Sequence, residues 1–264
     1  MRSLGLPELL VIAGLVLLLL GGSRISRLFG WFGRRTKSTV DQVRWIYTSL
    51  GGSEEQEIEA EGRVGSDLVE KFLRQMPPDP DQELQALVRW IGGRLAETPE
   101  ANKRHFTFQV VTAPVANAFA LPGGHVFVTR ALADLCADGE GEMAFLLGHE
   151  MGHVICRHMA EKKVVDTLLG AVRSGRVLGD LLGKGYSREQ EREADWKAVD
   201  LARESGFPPE ASLRVMRKLG ELGATTSEFE QYFSTHPSTD ERLDYLRERL
   251  DQPLTLDPSG TKDG

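Results

Sequence analysis

The sequence predicts an α+β fold that is mostly helical, with a small antiparallel sheet set among the helices. Three observations carry this. Apolar residues recur at helical spacing over residues 40–98 and again over 129–250. Between these stretches the period changes, and Phe106, Phe108 and Val110 alternate with polar neighbours as in a half-buried strand. Two more short strands, at residues 114–120 and 126–128, flank the turn-forming run Leu121-Pro122-Gly123-Gly124.

Along the chain, residues 1–38 stand apart. Residues 9–20 are unbroken apolar sequence, and with their flanks they reach about the lower limit for a membrane span. Arg24, Arg27, Arg34, Arg35 and Lys37 follow, which by the positive-inside tendency keeps the C-terminal flank in the cytoplasm. Ile25, Leu28, Phe29 and Phe32 make a basic amphipathic stripe suited to an anionic lipid surface. An uncleaved anchor fits these charges better than the alternative, the h-region of a signal peptide.

Residues 39–250 read as the main domain. Ile58, Val64, Leu68, Val69, Phe72 and Leu73 form one helical face, broken by Met76-Pro77-Pro78-Asp79-Pro80. Asp81 then caps a second helix carrying Leu84, Leu87, Val88, Ile91 and Leu95. After the strands the chain is helical to Leu250, and residues 251–264, with two prolines, glycine and serine, are expected to be disordered.

Composition sets bounds on partners. The chain has 264 residues, enough for a core that needs no disulfide staples. A net charge of -7 without a segregated basic domain excludes nucleic acid as the main partner. The two cysteines, Cys136 and Cys156, form no disulfide framework and read as small buried residues.

His149-Glu150-Met151-Gly152-His153 is the segment that carries chemistry. Two histidines four apart on a helix share a face and can grip one zinc ion, while Glu150 stands beside it as a general base. Met143, Phe145, Leu146, Leu147, Met151, Val154 and Ile155 supply the apolar side of that helix. Gly148 and Gly152 suit a helix against which another backbone packs closely. His158, five residues after His153, points round the helix and reads as structural or surface. A third ligand must come from elsewhere. The run from Ser187 to Asp195 offers Glu191 as that ligand, with Asp195 one turn on to orient a histidine. The same helix also reads as a solvated face bearing Glu189, Glu191 and Glu193.

Taken together, His149-Glu150-x-x-His153 and Glu191-x-x-Ala194-Asp195 resemble the HtpX-like family of gluzincin zinc metallopeptidases, which includes the prenyl endopeptidases and membrane quality-control peptidases. The residues from Asn117 to Thr129 resemble the strand pair preceding that family's metal helix. His236-Pro237-Ser238-Thr239-Asp240-Glu241-Arg242 resembles its C-terminal element. The resemblance implies a zincin-like fold and zinc ligands His149, His153 and Glu191, with Glu150 as base and Asp195 behind the ligands. It implies His236 near the metal, either steadying an oxyanion or filling the open position at rest. The strand at Asn117 and Phe119 would be an edge to which a peptide substrate adds. The several membrane spans of the family's namesake are missing here. Residues 5–38 in turn resemble the start of TatA-type translocase subunits. A membrane-anchored metalloendopeptidase acting on misfolded or membrane-associated proteins is the resulting expectation. Its rivals are a zinc-bound chaperone or assembly factor and a translocase-associated adaptor; an intact Glu150 speaks against a purely structural metal.

Overall fold

The computed structural model describes residues 54–158, 185–222, 229–236 and 239–252. The anchor expected at residues 1–38 and nearly all of the tail beyond Asp251 lie outside them. No helix among the described residues is long and apolar enough to cross a membrane.

The expected helices form, and their ends have identifiable causes. Helix α1 (Glu54–Gln75) stops before Pro77 and Pro78, and α2 (Gln82–Ala96) starts where Asp81 Oδ1 accepts the N–H groups of Glu83 and Leu84. Three strands follow, β1 (Thr107–Val111), β2 (Ala118–Leu121) and β3 (His125–Thr129). Gly123 and Gly124, at φ 85° and 78°, make the turn between the last two.

The sheet has the order β1-β3-β2, and it is mixed where the sequence suggested antiparallel pairing throughout. β2 pairs antiparallel with β3, but β1 pairs parallel with it. The physical reason is the short link over residues 112–117, which leaves the end of β1 and reaches only the near end of a strand two places away. β2 therefore runs back, and β3, after its tight turn, fills the gap in the direction of β1.

The two edges of the sheet differ. Beside β1, the Gln85 amide donates to Val110 O at 2.7 Å and accepts from Val110 N at 3.1 Å. Asp79 N also donates to Val110 O, and Thr112 N to Pro77 O, so this edge is covered. No described residue bonds in this way along the far side of β2.

After the short α3 (Arg130–Leu135), α4 (Glu140–Ile155) runs through the centre of the domain, buried at every position from Gly141 to Val154. α5 (Arg188–Glu204), α6 (Ala211–Leu222), α7 (Glu230–Thr235) and α8 (Thr239–Asp251) complete the helical layer. Helix α8 runs one residue past the expected end at Leu250. Phe72 of α1 packs on Phe119 and Phe127 on one face of the sheet. Val110, Ala118, Val126 and Val128 join the core of α2, α4 and α5.

The expected close approach on α4 is made by α5. A Cβ at Gly148 would lie 3.2 Å from Ala198 Cα, and one at Gly152 would lie 2.9 Å from both Cα and O of Ala194. Cys136 and Cys156 are free thiols, the first buried and the second partly so.

Candidate metal centre

Helix α4 presents His149 and His153 on one face, and α5 brings Glu191 against them. Ser187 starts α5 with a capping box, its hydroxyl accepting from Gln190 N while the Gln190 side chain accepts from Ser187 N. That fixes where the helix starts, and the close packing of Ala194 and Ala198 on Gly152 and Gly148 sets which side turns inward. Glu189 turns to solvent, Glu193 is mostly exposed, and Glu191 is 1% exposed against the imidazoles. His236, at the junction of α7 and α8, joins the same cluster.

The donor atoms converge closely. His149 Nε2 lies 3.1 Å from His153 Nε2 and 3.5 Å from Glu191 Oε2. His153 Nε2 is 3.4 Å from Glu191 Oε1. His236 Nδ1 is 3.3 Å from His149 Nε2 and 3.1 Å from both Glu191 oxygens. A tetrahedron with metal–ligand bonds of about 2.0–2.1 Å has edges of about 3.3–3.4 Å. The cluster has that size, and its nitrogen and carboxylate donors are those zinc takes. Glu150, 2% exposed, is one step round the helix, with its Oε1 3.7 Å from His236 Nε2.

The site is electrostatically suited to a cation. Burial and Arg242 press the His149 pKa down, but Asp195 and Glu191 outweigh them and lift it to about 9. Glu191 is held well below the usual carboxylate range by His236 and Arg242, against the opposing effect of burial. Burial pushes His153 well below the usual imidazole value, which leaves its lone pair free. Burial raises Glu150, with His236 and His149 pulling the other way.

Asp195 sits behind the histidine pair, its Oδ1 2.9 Å from His149 Nδ1. Arg242 donates to it from Nε at 2.8 Å and from Nη2 at 2.7 Å, while its Nη1 stands 3.2 Å from Glu191 Oε2. Asn117 precedes β2 and Phe119 lies within it. Asn117 is buried, with Oδ1 accepting from Ala118 N, and the Phe119 ring faces α1 on the other side of the sheet.

Sequence reasoning assigned no role to Arg242, Tyr186 or Glu193, and took His158 as structural or surface. Tyr186 stacks on His153 with ring centroids 3.7 Å apart. A signal for Arg242 was available, since two carboxylates on the buried face of one helix require a cation nearby.

Comparison with known proteins agrees with this geometry. The profile of peptidase family M48 matches residues 79–250. A beta-barrel assembly-enhancing protease from Yersinia pestis is 28% identical over 78% of this chain and 47% of its own length. The mitochondrial metalloendopeptidase OMA1 of Arabidopsis thaliana is 34% identical over 52% of this chain and 30% of its own. The metalloprotease LoiP of Escherichia coli is 31% identical over 56% of this chain and 64% of its own. This chain thus spans less than two thirds of each of these relatives.

Proposed function

The chain belongs to peptidase family M48, with zinc as its metal, and on that premise we propose that it is a membrane-anchored zinc metalloendopeptidase acting on misfolded or membrane-associated proteins. The observation that carries the reading is the convergence of His149, His153 and Glu191 beside a buried Glu150. His149, His153 and Glu191 would hold the zinc, which would supply Lewis acidity to the scissile carbonyl and to water.

The chain's own residues do the rest. Glu150 takes the proton of the attacking water and hands it to the departing amine, and its burial brings its pKa closer to working pH. Asp195 accepts the Nδ1–H of His149 and so aims Nε2 into the site. His236, with Nδ1 3.1 Å from Glu191, either steadies the oxyanion or fills the open position at rest. An extended peptide adds to the edge of β2 that is unpaired among the described residues, with Asn117 holding the start of that strand and Phe119 bracing it against α1.

The test compares the full chain with Glu150→Gln for zinc content and casein cleavage. Both should bind zinc, and the variant should lose about 10²–10⁴-fold in activity. Zinc without cleavage in either form would move the chaperone reading ahead. Anchoring is supported by the apolar run and basic stripe of residues 1–38. The full chain should float with anionic vesicles, and a chain lacking residues 1–38 should not. Equal flotation of the two would remove the anchor from the proposal.

A further inference from the structure

Helix α4 ends at Ile155, and the chain then reverses. Cys156 N donates to Gly152 O and Arg157 N to Val154 O. Arg157 has φ 61°, the left-handed region that side chains of its kind rarely adopt. Because of that turn, His158 folds back toward His153 and does not continue round the helix. It is 4% exposed, with Nδ1 2.8 Å from His153 Nδ1 and Nε2 3.0 Å from Glu193 Oε2.

The protons in this chain can be placed. His153 turns Nε2 toward Glu191 and His149, so Nε2 offers the lone pair and Nδ1 carries the proton. That proton is donated to His158 Nδ1, which must then be an acceptor. The single proton of His158 therefore sits on Nε2 and is donated to the Glu193 carboxylate. One direction of donation satisfies every atom.

We infer that His158 is a positioning residue for the metal ligand His153, itself oriented by Glu193, so that a one-way chain of hydrogen bonds fixes the tautomer and aim of the second histidine. The inference rests on the zinc reading above. It gives the two histidine ligands different supports: Asp195 holds His149 directly, while a second imidazole stands between His153 and its carboxylate. Glu193 is 56% exposed on its side chain, so its share of the effect is the smaller one.

Cys156, His158 and Glu193 also bring donor atoms within 4.8 Å of one another, as in a second metal site. Both His158 nitrogens are already engaged there. Burial, first of all, pushes the Cys156 thiol up to about 11, which keeps it protonated at neutral pH.

The experiment measures zinc affinity of the full chain by chelator competition, together with the absorption spectrum of its cobalt(II) form. His158→Asn keeps an acceptor near the position of Nδ1 and should stay within a few-fold of wild type. His158→Phe fills the space without an acceptor and should bind zinc about 10–100-fold more weakly, with shifted cobalt bands. Glu193→Ala should weaken binding several-fold on its own and add nothing in the His158→Phe background. Thermal melts of the metal-free forms identify a variant that has merely unfolded. Wild-type affinity in folded His158→Phe, simple additivity of the two changes, or a second zinc lost with Glu193→Ala would each overturn the assignment. Absence of zinc from the wild type would instead sink the metal reading itself.

Discussion

Glu191 and Asp195 lie one turn apart on α5, 1% and 0% exposed, and two carboxylates so deeply buried need cations. Arg242 answers both: it bonds Asp195 from two nitrogens and faces Glu191 with a third. In Arg242→Met the side-chain volume remains but the carboxylates lose their counter-ion. Urea unfolding of the metal-free protein should show a loss of about 3–5 kcal/mol, the usual cost of breaking a buried pair by removing one partner. Unchanged stability would mean that the histidines alone neutralise the pair. At this scale the sequence was most informative where spacing is itself chemistry. His149, Glu150 and His153 are read directly, because four residues make one turn. Glu191 was one of three glutamates in the first two turns of a charged helix, and which of them faces inward depends on how α5 lies against α4.

The way α5 lies against α4 is decided by small residues. Gly148 and Gly152 are poor helix formers, yet they let the backbones of Ala198 and Ala194 come close enough for Glu191 to reach two imidazoles. Gly152→Ala should gain about 1 kcal/mol of helix propensity and lose more, since its Cβ would meet backbone atoms at 2.9 Å. A net destabilisation of about 1–3 kcal/mol is expected, with weaker zinc retention as the helices part. Gly93→Ala on α2, where an added Cβ meets nothing within 4 Å, is the control and should be neutral or stabilising. If both changes stabilise, the close approach does not matter. The start of α2 was legible because Asp81 carries a local capping signal. The parallel pairing of β1 with β3 was not, since strand direction follows from where a link can reach.

For the whole molecule, the cluster joins segments far apart in sequence: α4, α5 and the α7–α8 junction meet at one point. A metal there acts as a cross-link that only the folded chain can form. Removing zinc with a chelator should lower the thermal midpoint, by the equivalent of about 2.7 kcal/mol where free zinc had stood at 100 times its dissociation constant. Restored zinc should restore the midpoint, and a midpoint indifferent to chelator would mean the cluster holds no metal. The sequence by itself determined the helical class, the capped start of α2 and a helix that brings His149, Glu150 and His153 together, because each rests on contacts within a few residues. Only the tertiary structure decided the mixed sheet, the turning of Glu191 toward the imidazoles, the placing of Arg242, and the return of His158 to His153. These depend on which surfaces pack and where the chain turns, as at Arg157, and no local pattern encodes that.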